Sequence, residues 1–350
     1  MRAPRAAEGL ELVRDIVVVT GGAGYIGSVL VRQLLRAGHA VRVLDAMRVG
    51  GEALLPLADD EALTIQRGDV RHEGAVRRVL EGADAVVHLA AIVGDPACKR
   101  EPELAREVNL LASQRLFDLA EAAGVKRFVF ASTCSNYGKM ADPDAVMDET
   151  SELRPVSLYA ETKVAVEAYL AERGRTSRCA PTSLRFATVH GVSPRMRFDL
   201  TVNEFTRDLV TGHELVVFGE RFWRPYCHVA DLARAAALVL AAPREAVACE
   251  VFNVGDDAEN FRKQDVVDAI LRQVPGGVVR YVERQEDPRD YRVSFRKIRE
   301  RLGFAVTKRL PDGIAEVKRA IELGLVPDPY AQRYANVPVT PPAPALRAAP

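Results

Sequence analysis

Short runs of β-branched and apolar residues alternate along the first half of the chain with longer stretches whose apolar positions recur at helical spacing. IVVVT at 16–20 is followed by a helical pattern from about Ile26 to Ala37 and then by VRVLD at 41–45. The rhythm continues through ADAVVHLAA at 83–91, a helix near 103–123, RFVFAS at 127–132, a helix near 158–173 and TSLRFATV at 182–189. Strands separated by crossover helices pair in parallel, and runs this continuously apolar suit strands covered on both faces. The pattern predicts a parallel α/β sheet over residues 15–190.

After about Gly191 the regularity weakens. Pro, Arg and aromatic residues become more frequent, and ELVVF at 214–218 and EVFNV at 250–254 are separated by a helix at 229–242. A smaller C-terminal α/β lobe that holds substrate is expected over 191–334. Residues 1–14 are expected to form a flexible N-terminus. The Pro/Ala-rich stretch 335–350 has little to bury and is expected to be a disordered tail.

Charge and cysteines narrow the class. Lys+Arg and Asp+Glu each number 48, so the general attraction of a basic chain for nucleic acid or anionic membrane is missing. No apolar run approaches the roughly 20 residues of a membrane span, and the opening residues lack the apolar core of a signal peptide. Cys98, Cys134, Cys179, Cys227 and Cys249 are scattered and never spaced as C-x-x-C, which suits reduced thiols in the cytoplasm and argues against a metal site.

TGGAGYIG places Gly21, Gly24 and Gly27 between a buried strand and a helix. Glycine there permits a tight turn, brings backbone N–H groups to a pyrophosphate at the helix N-terminus and allows close helix–strand packing. Asp45 closes the next strand, where a carboxylate can accept from the adenosine ribose hydroxyls and repel a 2′-phosphate. NAD is therefore favoured, with NADP left open by the nearby Arg48. Asp69, in RGDV after the third strand, is read either as a contact to the adenine amino group or as a loop cap. These features define a Rossmann-type, doubly wound parallel sheet.

Tyr159 and Lys163, in YAETK, fall four apart on one helix face. An ammonium beside a phenol stabilises its anion, so Tyr159 is expected to act as a general base with a lowered pKa.

TGGAGYIG, Asp45, RGDV, HLAA, Asn109, FASTCSNYG and YAETK occur in the order seen in the extended short-chain dehydrogenase/reductase family. The chain resembles its nucleotide-sugar epimerase/dehydratase members from about Asp15 to Gly324. The resemblance implies cofactor contacts from Gly21, Gly24, Tyr25, Ile26, Gly27, Asp45, Asp69, Val70, Leu89, Ala90, Ala91, Asn109, Tyr159 and Lys163. It also implies that Tyr159 removes a sugar hydroxyl proton while hydride passes to the nicotinamide. Lys163 would then bind the nicotinamide ribose, and Thr133 would hydrogen-bond the reacting hydroxyl.

WRPYCHVADLA and DPRDYRVS resemble segments in which arginines like Arg224 and Arg289 grip the diphosphate of a nucleotide-sugar. A guanidinium can bind such oxygens bidentately. Thr188 and Asn203 are assigned to the same substrate group. Thr188 stands where the family often has asparagine, and His190 where it often has tyrosine. A homodimer is implied through the helices near 103–123 and 158–173.

Residues Cys134 and Ser135 separate the possible reactions. Sugar 4,6-dehydratases carry an Asp-Glu pair there, and the decarboxylase glutamate would fall at Ser135. Ser135 resembles the small hydroxyl residue of 4-epimerases, which favours a 4-epimerase acting through a transient 4-keto sugar. A 4-dehydrogenase or 4-ketoreductase, and a 3,5-epimerase using Cys134 as an acid/base, remain as alternatives. A non-catalytic NAD-sensing protein is the reading from another class, and retention of Tyr159 and Lys163 argues against it.

Overall fold

The computed structural model describes residues 15–140, 142, 145–282 and 289–339. The flexibility expected of 1–14 and of 340–350 concerns residues outside that set.

Its centre is a parallel sheet of seven strands. In chain order β1 (Ile16–Thr20), β2 (Ala40–Asp45), β3 (Leu63–Arg67), β4 (Ala85–His88), β5 (Arg127–Thr133) and β6 (Ala180–Phe186) are joined by crossovers. The spatial order ends at β3 on one edge and reverses direction between β1 and β4, which places a ligand crevice at their carboxyl ends. Val17, Val18 and Val19 of β1 are buried on both faces, as its uninterrupted apolar run requires.

Helix α1 (Gly27–Arg36) follows the glycine turn, α2 (Glu73–Leu80) follows β3, and α3 (Asp95–Arg100) and α4 (Pro102–Arg106) follow β4. A π-helical turn at Glu107–Leu111 leads into α5 (Ala112–Ala122). The 17-residue α6 (Leu158–Gly174) carries YAETK and is capped by Ser157, whose hydroxyl accepts from Ala160 N at 3.3 Å.

Beyond β6, β7 (Thr188–His190) leads to α7 (Thr201–Val210), β8 (Leu215–Phe218), β9 (Trp223–His228) and α8 (Val229–Ala241). The remaining strands are β10 (Glu250–Val254), β11 (Asn260–Arg262) and β12 (Val279–Val282). β7, β9 and β11 form a small three-stranded sheet, and β8 pairs with β12. A separate apolar cluster containing Val202, Leu215, Tyr226, Val266 and Ile314 fills this second region.

Two sequence expectations need correction here. EVFNV, assigned to the second lobe, is β10 and pairs with β6 as the edge strand of the main sheet. Residues 250–254 thus belong structurally with 15–190, because an apolar run does not reveal which strand it will pair with. The tail expected to be disordered from 335 is fixed at its start: Asn336 N donates to Asp199 Oδ2 at 2.9 Å, and Ala335 is buried.

Candidate active site

The glycine turn is shaped by contacts that exclude side chains. Gly21 has φ +75°, and a Cβ there would lie 2.8 Å from Ala90 N. A Cβ on Gly27 would lie 2.1 Å from Gly21 O. Ile26 sits at the N-cap of α1 without a side-chain cap, and the first turn holds no acid. The positive end of that helix is therefore kept for an anion, as a dinucleotide requires.

Asp45 stands beside the turn and is held by it. One carboxylate oxygen accepts from Ala23 N at 3.0 Å and the other from Met47 N at 2.7 Å, while burial raises the group above its usual range. We expect Asp45→Ala to narrow the preference for NAD over NADP, read by calorimetry. Equal or tighter NADP binding by the unmutated protein would contradict the assignment.

The far wall of the crevice is braced by buried polar side chains. Thr20 Oγ1 lies 2.6 Å from His88 Nδ1, and His88 Nε2 lies 2.8 Å from Ser113 Oγ. Burial lowers the His88 pKa to about 3, so the ring is neutral. Leu89 N and Ala90 N donate to Thr20, which sets Leu89, Ala90 and Ala91 against the glycine turn.

Several sequence-named residues have their polar groups engaged within the protein. Asn109 accepts from Ile92 N at 2.8 Å and donates to Ile92 O at 2.9 Å, so it shapes the loop after β4. Asp69 is gripped by the Arg71 guanidinium, with contacts from 2.9 to 3.1 Å, and Val70 beside it is buried. This favours the loop-cap reading of Asp69. Tyr25 directs its hydroxyl away from the turn, donating to Gly191 O and accepting from Asn203 Nδ2 at 3.0 Å. Asn203 also accepts from Gly191 N and donates to Arg197 O, so the residue assigned to substrate instead clamps the loop after β7.

The reacting groups gather at the ends of β5 and α6. Thr133 Oγ1 accepts from Ser135 N at 3.1 Å, which starts a short 3₁₀ turn over Cys134–Tyr137. Cys134 turns inward: its thiol donates to Arg185 O at 3.2 Å, and burial pushes its pKa well above the ordinary thiol range. Ser135 Oγ accepts from the Tyr291 hydroxyl at 3.3 Å.

Lys163 departs from the expectation placed on it. Its Nζ donates to Ala131 O at 2.7 Å and lies 5.8 Å from the centre of the Tyr159 ring. Burial lowers its pKa to about 8, and burial also pushes the Tyr159 phenol above its usual range rather than below it. The cation opposing that rise is Arg197, on the loop after β7.

The sequence reading missed Arg197, and it missed Asp95 too. Asp95 Oδ1 accepts from Ser157, the cap of the catalytic helix, at 2.7 Å, while Oδ2 pairs with Arg289 Nη1 at 3.2 Å. Arg224 is buried on β9 with its guanidinium 5.3 Å from the centre of the Tyr291 ring. Arg224 thus lies by the ring whose hydroxyl meets Ser135, and both arginines oppose the burial-driven rise of the Tyr291 pKa. Thr188 is half-buried on β7, paired with Tyr226. His190 is wholly buried, meets His228 edge-on at 5.4 Å and faces Gly313, directed into the second core.

A dinucleotide turn at the switch point, with Tyr159 and Lys163 on the adjoining helix, defines an NAD-binding oxidoreductive site. Residues 17–255 match the model of the NAD dependent epimerase/dehydratase family, and the chain belongs to that family. It is 32% identical over 313 residues to a dTDP-glucose 4,6-dehydratase of Streptomyces niveus, spanning 86% of this chain and 90% of that one. It is 31% identical over 309 residues to a UDP-glucose 4-epimerase of Corynebacterium glutamicum, spanning 82% and 90%. The solved dTDP-glucose 4,6-dehydratase DesIV of Streptomyces venezuelae, with NAD bound, superposes with a TM-score of 0.79 at 29% identity, covering 88% of this chain and 98% of that one. The protein is an NAD-dependent enzyme of that family. No helix among the described residues is long and apolar enough to cross a membrane.

Proposed function

We propose that the enzyme is a nucleotide-sugar 4-epimerase, acting on a UDP- or dTDP-hexose like those named for its relatives. The observation supporting this reading is the pair after Thr133. Cys134 is turned into the core toward Arg185 O, and Ser135 offers a hydroxyl beside Tyr291. Dehydration calls for an acid and a base at these positions, and neither residue can serve as the pair.

Bound NAD supplies the acceptor and donor of the C4 hydride. Thr133 holds the 4-hydroxyl and Tyr159 takes its proton, with Arg197 favouring the phenolate. Arg224 and Arg289 hold the diphosphate, leaving the hexose ring to turn over between removal and return of hydrogen. Tyr159 then gives the proton back to the 4-oxygen of the inverted sugar. No acid or base at C3, C5 or C6 takes part.

The test is incubation of the purified enzyme, without added cofactor, with UDP- and dTDP-hexoses, followed by NMR of the products. An inverted C4 is expected, and Cys134→Ala should leave turnover within a few-fold. A 6-deoxy-4-keto product, or severe loss at Cys134 with solvent deuterium at C3 or C5, overturns the reading.

Two further expectations belong to it. Arg224→Ala and Arg289→Ala should each weaken nucleotide-sugar binding about ten- to a hundredfold while sparing NAD, since each removes a charged hydrogen-bond donor. Unchanged substrate affinity in both would remove the diphosphate assignment. A homodimer is proposed through α5 and α6, where Leu111, the last residue of the π-helical turn leading into α5, is 52% exposed and Ala168 is exposed on the neighbouring α6. Light scattering at micromolar concentration should give twice the chain mass, and a monomer would refute it.

A further inference from the structure

Helix α3 starts where Gly94, at φ +93°, turns the loop after β4, so that Asp95 and Pro96 begin the helix. Its frame is fixed through Cys98. The thiol donates to Ile92 O at 3.3 Å, and Asn109 Nδ2, which donates to the same carbonyl, lies 3.8 Å from Cys98 Sγ. The Asp95 carboxylate then divides its two oxygens between distant parts of the chain. Oδ1 accepts from the Ser157 hydroxyl at 2.7 Å, and that hydroxyl accepts in turn from Ala160 N, capping α6 around Tyr159. Oδ2 meets Arg289 Nη1 at 3.2 Å, a contact at one corner of the guanidinium fork. The two side chains are 25% and 38% exposed, so a screened attraction alone gives the pair little value. What it supplies is order: arginine has a long flexible stem, and one already fixed loses less freedom when it takes up a ligand.

We propose that Asp95 is a positioning residue for the reaction, holding the head of the catalytic helix with one oxygen and the diphosphate arginine with the other. It thereby sets the separation between Tyr159, two residues past Ser157, and the group that anchors the nucleotide. The proposal rests on the reading of Arg289 as a diphosphate ligand and of Tyr159 as the base. Asp95 also adds a charge to the surroundings of that base. The titratable groups around the Tyr159 phenol are Cys98 and Asp95 of α3, Arg197 of the loop after β7, Tyr291, and Lys163 on α6 itself. Among them Asp95 opposes the phenolate and Arg197 favours it. Removing the Asp95 charge lets the phenolate form at lower pH, so the rising limb of kcat/KM moves to lower pH.

The test uses Asp95→Asn in the full chain with NAD bound, because the amide oxygen still accepts from Ser157 while the neutral amide cannot pair with Arg289. Calorimetry follows binding of UDP and dTDP, and kinetics with UDP-glucose and dTDP-glucose are followed across pH. Diphosphate binding is expected to weaken about fivefold, KM to rise by a similar factor, and the rising limb of kcat/KM to move to lower pH. In the double variant Asp95→Asn with Arg289→Ala, binding should be no weaker than in Arg289→Ala alone, since the tether has nothing left to hold. An aspartate that merely supported the fold would give additive losses and an unmoved pH profile, and that result overturns the proposal. Unchanged or tighter diphosphate binding in Asp95→Asn overturns it too. If Arg289→Ala alone leaves diphosphate binding unaltered, the diphosphate reading falls and the proposal with it. If Arg289→Ala weakens binding and Asp95→Asn does not, only the proposal falls. Should Asp95→Asn fail to fold, Asp95→Glu decides, because it keeps the charge and displaces it by one methylene. Weaker diphosphate binding with an unmoved pH profile then supports the tether, and unchanged binding refutes it.

Discussion

Tyr159→Phe is expected to lower turnover by about 10²–10⁴-fold while the fold and the amount of bound NAD stay as they are. The ring is retained, so its packing on α6 survives, and what disappears is the oxygen that takes the sugar proton. Burial raises the phenol's pKa, and Arg197 opposes part of that rise. Lys163, with its pKa lowered to about 8 and its Nζ on Ala131 O, contributes less to the phenol than its spacing in the sequence suggests. Turnover followed by product NMR, together with NAD released on denaturation, checks both halves of the prediction. Near-normal turnover would remove Tyr159 from the mechanism.

A second large effect is expected in stability. Arg185 and Glu167 form a buried pair, 5% and 6% exposed, with the closest contact at 2.7 Å. Glu167 Oε1 also accepts from Asn136 Nδ2 at 2.9 Å and from the Ser132 hydroxyl. Arg185 donates to the Tyr137 hydroxyl, which donates to Asn253 Oδ1 at 2.8 Å. These side chains tie the ends of β5, β6 and β10 together beneath Thr133 and Ser135. Glu167→Ala leaves the Arg185 charge buried without its partner and should cost about 3–5 kcal/mol of unfolding free energy. Glu167→Leu combined with Arg185→Met removes both charges and should recover most of that loss. Urea denaturation measures each, and a loss below about 1 kcal/mol for Glu167→Ala would show that the pair does not carry the strand ends.

What the sequence revealed was local. The turn from β1 to α1 is written in consecutive residues because strand, glycines and helix are neighbours in the chain. Tyr159 and Lys163 share a helix face for the same reason. What it concealed depends on contacts across long separations. EVFNV reads as a strand, but nothing in it says that it will extend the main sheet beside β6. Asn203 and Asn109 are polar residues in recognisable places, yet their partners at Gly191, Tyr25 and Ile92 appear only once the loops are folded. Arg197 gave one sequence signal, an arginine in the loop just past Gly191, and periodicity assigns no role to such a loop. The Tyr159 pKa likewise depends on burial, which helical spacing does not report.

In the proposed reaction hydrogen leaves C4 and returns to C4. The most direct measurement uses the accepted nucleotide-hexose carrying deuterium at C4, converted by the enzyme without added cofactor and analysed by NMR. A C4-inverted product is expected, with the deuterium still on C4 and none of the label in solvent. Deuterium found at C6 of a 6-deoxy sugar, or lost from the sugar altogether, would contradict it.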